Sequence, residues 1–115
     1  MSSTPKFLQG IVDYTGSGLE KPAVADPSLT YVVPDGVRAQ AVYFRGGNSG
    51  DELAVVVVLR DGVAMRYFPI GARDAVHVPL RVVEDLEAGT GVELRVAAPE
   101  GATGTVVVDL GLVEV

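Results

Sequence analysis

Apolar residues along this chain recur at every second position in short runs, and no stretch of useful length shows the 3.6-residue period of an amphipathic helix. The clearest run is GVELRVAA at 91–98, where Val92, Leu94 and Val96 alternate with Glu93 and Arg95. That is the pattern of a strand with one wet face. Comparable runs lie at 7–15 (FLQGIVDYT, with Gly10 a candidate bulge), 28–33, 38–45, 76–83 and 105–115. Glycine, proline and aspartate separate them, as in Pro34-Asp35-Gly36, GGNSGDE at 46–52 and PEGATG at 99–104. Pro79 places its run at a sheet edge or a bulge, because proline cannot donate to a ladder.

The densest stretch is LAVVVVLRDGVAMRYFPI at 53–70. Asp61-Gly62 between two β-rich halves predicts a hairpin, since both central residues of a type I′ turn need positive φ. A two-residue loop would pair Arg60 with Val63, Val58 with Met65, Val56 with Tyr67 and Val55 with Phe68. One face then carries Leu53, Val55, Val57, Leu59, Phe68 and Ile70, interrupted by Arg66; the other carries Ala54, Val56, Val58, Met65 and Tyr67. Both faces are apolar, so the hairpin needs cover on both sides. In a short chain a second subunit is one source of that cover.

About eight short strands, with turn signals roughly every ten residues, predict an all-β fold, an antiparallel sandwich of jelly-roll type. The 115 residues suffice for one domain. Residues 1–5 read as frayed, 16–27 (GSGLEKPAVADP) as a long loop, and 84–90 (EDLEAGT) as a short helical turn or a loop.

Composition removes several functions. A net charge of −6 with lysines only at 6 and 21 gives no clustered positive surface for nucleic acid or an anionic membrane. Cysteine is absent, which excludes disulfides, thiolate metal sites and thiol nucleophiles. No leader pattern is visible at the start and no 18-residue apolar span occurs, so a cytoplasmic location is the default expectation.

Catalytic chemistry is poorly represented. Gly47-Asn48-Ser49-Gly50 resembles the G-[DN]-S-G of chymotrypsin-like proteases, but those place the base before the serine and need a two-barrel protein. The sole histidine, His77, follows Ser49 and falls on an outward strand phase. One imidazole cannot build a zinc site. The expectation is therefore a non-enzyme. Carboxylates at Asp51 and Glu52, in the cluster Glu84, Asp85 and Glu87, and at Asp109, which interrupts an apolar strand, offer calcium ligands, with Asp51, Glu52 and Asp109 the candidate set; calcium takes such oxygens in loops. Tyrosines supply amphipathic rings of the kind that stack on sugars. With them, Asn48, Asp51 and Tyr43 are the candidate ligand-binding residues.

The run 38–115 resembles the galactose-binding-like jelly-roll carbohydrate-binding modules. The resemblance is carried by VYFRGGNSGDELAV, the V-x-L-R-D-G hairpin, L-x-A-G-T at 86–90 and a closing V-D-x-G-x-V-E-V. It implies a jelly roll, a glycan ligand, and a late aspartate, Asp109, joined to an early acidic residue at a structural calcium. The binding tryptophan of that family is missing. FLQGIVDYTGSG and MRYFPIGA also look similar to small bacterial proteins labelled molybdopterin oxidoreductase or assimilatory nitrate reductase, which implies an accessory subunit beside a larger protein.

Three functional expectations follow. The first is a homo-oligomer associating through Ala54, Val56, Val58, Met65 and Tyr67, because an open apolar patch of that size is unusual on a monomer. The second is a carbohydrate-binding-type module using the loops near Asn48 and Asp51. The third is the accessory subunit.

Overall fold

A computed structural model describes residues 3–115. In chain order the strands are β1 (Thr4–Thr15), β2 (Thr30–Val32), β3 (Ala39–Asn48), β4 (Ala54–Arg60), β5 (Val63–Ile70), β6 (Ala75–Pro79), β7 (Gly91–Ala97) and β8 (Thr103–Glu114). They form two four-stranded sheets, in the orders β1-β8-β3-β6 and β2-β7-β4-β5. Every pairing is antiparallel. The fold is an all-β sandwich with jelly-roll connectivity, and no helix occurs among the described residues.

The core lies between the sheets and follows strand alternation. Val106, Val108, Leu110 and Leu112 point inward from β8, Val92, Leu94 and Val96 from β7, and Phe44 stacks on Phe68 with ring centroids 4.3 Å apart. Each fully buried aliphatic or aromatic side chain contributes about 1.5–3 kcal/mol relative to exposure.

Several expectations are corrected by this arrangement. β1 starts at Thr4, inside the stretch read as frayed, and pairs with β8 residue for residue, so Gly10 is no bulge. β3 runs on through Gly46 and Gly47 to Asn48, where a loop was expected. Gly46 faces the core, and a Cβ there would lie 2.7 Å from atoms of Ile70 and Phe44. Of the two alternatives for residues 84–90, the loop is the one present, with Leu86 buried and bridged to Ala39.

The hairpin turn is as expected, with positive φ at Asp61 and Gly62 and Arg60 facing Val63. A bulge between Val58 and Leu59 then moves the register by one, so that Val58 faces Arg66, Val56 faces Phe68 and Ala54 faces Ile70. A one-residue slip transfers every side chain of a strand to the other face. Phe68 and Ile70 therefore join Ala54, Val56 and Val58, and that face is the protein interior, each of the three being at most 1% exposed. The expected association face is thus the core. Met65 is half-buried against it, and Tyr67 alone of the five is exposed.

Val57 and Leu59 point away from that core yet are buried. The register flanks Val57 with Arg95 and Tyr67, and Leu59 with Glu93. Arg95 and Glu93 are themselves paired at 3.0 Å. Long side chains lay their stems over apolar neighbours. The second cover of the hairpin therefore comes from its own sheet.

Candidate ligand-binding face

The outer surface of the β1-β8-β3-β6 sheet has the chemistry a bound ligand would need. Antiparallel register arranges its outward side chains in rows across the four strands. The central row is Gln9, Asp109, Arg45 and His77. On one side runs a row of Phe7, Gly111, Tyr43 and Pro79, and on the other a row of Ile11, Val107, Gly47 and Ala75. A polar stripe bearing donors and acceptors is thus bordered by two apolar stripes. Phe7, Ile11 and Val107 are all exposed, Ile11 by 74%.

Tyr43 is held by four neighbours. Its ring lies across the backbone of its partner Gly111, where a Cβ would overlap ring atoms, so glycine leaves the space that the ring fills. Its hydroxyl donates to Asp109 Oδ1 at 3.1 Å, and Arg45 Cζ stands 5.3 Å from the ring centroid. His77 meets it edge-on, centroids 6.4 Å apart at 84°. Desolvation, followed by the hydrogen bond to the Asp109 carboxylate and its charge, holds the phenol above its usual range, with Arg45 opposing.

Arg45 forms no ion pair with a carboxylate among the described residues, so its guanidinium edge is free for a ligand. Two open depressions flank the centre of the face. One, of about 490 Å³, is lined by Arg45, Gly47, His77, Val107 and Asp109. The other, of about 280 Å³, is lined by Gln9, Gly10, Ile11, Val107 and Asp109. A depression of about 510 Å³ at one end of the sandwich is larger, but its lining of Gly36, Val37, Arg38, Glu87, Ala88 and Val115 offers no aromatic ring.

The expected site residues do not meet. Tyr43 is on this face. Asn48 is 4% exposed and serves the scaffold: its Oδ1 accepts from Tyr14 Oη at 2.8 Å and from the Gly50 N–H at 2.9 Å. Its Nδ2 donates to the carbonyls of Glu52, Ile70 and Gly71. Every polar atom of its amide is used internally, which corrects its assignment to ligand. Asp51 is exposed in the β3–β4 connection and paired with Arg73, Nη2 to Oδ1 at 2.7 Å.

The calcium trio is likewise not assembled. Asp109 stands mid-strand opposite Arg45, whereas Asp51 and Glu52 lie in the connection beyond Asn48, which pairs with Val106. Among the described residues no group of three or more His, Asp or Glu side chains is placed to hold a metal ion. The residues that the sequence did not mark are Gln9 and Arg45, while His77 was read only as falling on an outward strand phase. Alternation gave a signal for one of them, since Arg45 shares with Tyr43 the phase opposite buried Phe44. The strand order that unites them with Asp109 and His77 has no local signature.

No family model matches the chain, and no curated protein matches its sequence. Solved structures do share its fold. The CBM36-1 domain of a multidomain xylanase from the hindgut metagenome of Trinervitermes trinervoides matches with a TM-score of 0.59 and 17% identity, over 96% of both chains. A family 35 carbohydrate-binding module from Clostridium thermocellum matches with a TM-score of 0.52 and 14% identity, over 95% of this chain and 97% of that one. The chain has the jelly-roll fold of these carbohydrate-binding modules.

Proposed function

We propose that this protein is a non-catalytic glycan-binding module and that the outer face of the β1-β8-β3-β6 sheet receives the sugar. The observation that carries the reading is the polar row Gln9, Asp109, Arg45 and His77 beside the Tyr43 ring. A pyranose presents C–H patches together with equatorial hydroxyls. An aromatic ring and apolar side chains accept the first, and a row of side-chain donors and acceptors takes the second. Likeness of fold to carbohydrate-binding modules supports the same reading. In this assignment Tyr43 is the platform, Arg45, Gln9 and His77 are donors to ring hydroxyls, and Asp109 both accepts and orients Tyr43.

Binding without hydrolysis follows from the carboxylate inventory of the row. Glycoside cleavage uses two carboxyl groups facing each other across the bond, and the central row holds one.

The test is affinity electrophoresis and calorimetry against a panel of soluble plant, fungal and bacterial polysaccharides. Retardation by at least one polymer is expected, reduced about tenfold or more in Tyr43→Ala and Arg45→Ala, a loss of about 1.4 kcal/mol each. A panel with no binder, or binding that survives both substitutions, would refute the assignment.

A further inference from the structure

Strand β1 is an edge of its sheet, and among the described residues it is the long edge without protection. Natural sheets blunt their edges with shortness, lysine, proline, bulges or a covering segment. β2 spans Thr30–Val32 and β6 spans Ala75–Pro79, ending in proline. β5 contains Pro69, and the Arg66 guanidinium reaches from it to the Val82 carbonyl of the crossing 80–84 segment. β1 has Pro5 and Lys6 at its beginning only, and from Phe7 to Thr15 it has no proline, no lysine and no bulge.

The hydrogen-bond phase of this edge is fixed. The Gly16 N–H donates to the Ala102 carbonyl, in register with the β1–β8 ladder. In an antiparallel pair, alternate residues face the neighbour. Even-numbered residues of β1 therefore bond to β8, and the N–H and C=O groups of Phe7, Gln9, Ile11 and Asp13 point out of the sheet. These same odd-numbered residues project their side chains onto the ligand-binding face.

We infer that β1 pairs antiparallel with β1 of a second copy of this chain about a two-fold axis at Gln9. Odd residues then meet odd residues with both backbone groups in phase: Gln9 faces the partner's Gln9, and Phe7 faces the partner's Ile11. The Gln9–Gln9 pair and the two Phe7–Ile11 pairs each exchange two N–H to C=O bonds, and Asp13 faces the partner's Pro5, which has no N–H to give. The pattern is self-complementary in this register. Phe7 and Ile11, which are 50% and 74% exposed in one copy, cover each other twice across the axis. Centring the axis on Gly10 instead would set Gln9 against Ile11 and Phe7 against Asp13, mixing polar with apolar.

The two sheets become one of eight strands, and the polar rows join end to end. The row runs from His77 through Arg45, Asp109 and Gln9 into the partner's Gln9 and onward. A dimer of this kind presents one long polar track bordered by apolar stripes. The inference stands apart from the identity of any ligand, since its evidence is the edge and its register.

Sedimentation equilibrium of the full chain across about 5–500 μM tests it, a range in which modest interfaces populate a dimer. The expected result is a concentration-dependent rise to twice 12.0 kDa. Ile11→Lys should hold the mass at one chain while circular dichroism and thermal melting stay as in the parent. The chain has no cysteine, so Gln9→Cys supplies a single thiol. Oxidation or a short bis-maleimide should join two copies of this variant in high yield, and should not join Thr30→Cys, whose thiol sits on the other sheet. A wild-type chain that stays monomeric throughout overturns the inference. So does a dimer that persists in Ile11→Lys, or one that Gln9→Cys does not trap.

Discussion

Replacing Asn48 with alanine separates a scaffold role from a ligand role at one position. The side-chain amide ties together β1 through Tyr14, the β3–β4 connection through Gly50 and Glu52, and the end of β5 through Ile70 and Gly71. The substitution strands two donors, the Tyr14 hydroxyl and the Gly50 N–H. Tyr14 is 7% exposed, and its hydroxyl is packed against Gly50 and Gly104 so closely that a Cβ on either would collide with it. Water has little room to replace the amide. A stranded buried donor costs about 1–3 kcal/mol, so two cost about 2–6, and the lost bonds to carbonyls add to this.

Against a total of about 5–15 kcal/mol for a domain of this size, that is a large share. At about 4–8 °C per kcal/mol, the melting temperature should fall by about 10 °C or more. Urea melts followed by far-UV circular dichroism suit a chain without tryptophan. A double-mutant cycle sharpens the result. Tyr14→Phe alone should cost about 1 kcal/mol, but in the Asn48→Ala background it should be neutral or favourable, because it removes the stranded hydroxyl. A loss below about 1 kcal/mol for Asn48→Ala would refute the scaffold role. Loss of glycan binding with stability intact would return Asn48 to the ligand.

Other perturbations have equally definite outcomes. Gly111→Ala should push the Tyr43 ring off its seat and lower glycan affinity to the level of Tyr43→Ala, at a stability cost of about 1–3 kcal/mol, read by calorimetry beside a melt. Val56→Lys should reduce the yield of folded protein, with a loss of about 4 kcal/mol or more, rather than alter assembly, because Val56 is in the core. Burial leads the causes that raise the phenols of Tyr14, Tyr31 and Tyr43, the last two also hydrogen-bonded to Glu114 and Asp109. The folded chain thus keeps these protons to higher pH than the unfolded one. Their contribution is complete below the ordinary phenol value of 10.0 and is lost as pH rises beyond it. Urea midpoints should fall as pH rises beyond about 10, and less steeply in Tyr31→Phe.

What the sequence revealed was local. Alternation marked the strands, and Asp61-Gly62 located the hairpin because positive φ at both positions leaves few other choices. Arg60 and Val63 follow from that turn. The bulge at Val58 and Leu59 has no glycine or other local mark, yet it reversed the predicted inside and outside of β5 relative to β4. Apolar residues on both faces of β4 gave patterning no means of correcting the error.

The candidate site divides in the same way. Asp109 was conspicuous as a charge within an apolar strand, and Tyr43 as an amphipathic ring. Their meeting depends on β3 lying next to β8, a pairing between distant parts of the chain. Asn48 was conspicuous for its glycine-rich setting, but the same setting serves close packing around a buried amide. The segments resembling molybdopterin-labelled proteins fall on β1 with the loop after it, and on β5 with the turn after it. Of those residues, the odd-numbered β1 members Phe7, Gln9, Ile11 and Asp13 project onto the candidate face.

The position of β8 has a consequence for how the chain is made. β8 lies between β1 and β3, pairing Thr4 with Glu114 and Thr15 with Thr103. A ribosome therefore releases β1 and β3 well before the strand that joins them. Until then β1 has an open edge on both sides, and β3 has only the short β6 beside it. Distant pairings of this kind slow folding and leave strand edges open to other chains. A nascent chain truncated before Thr103 would retain the other sheet's strand order with a first sheet missing its centre, a species that chaperones and proteases would meet before any ligand does.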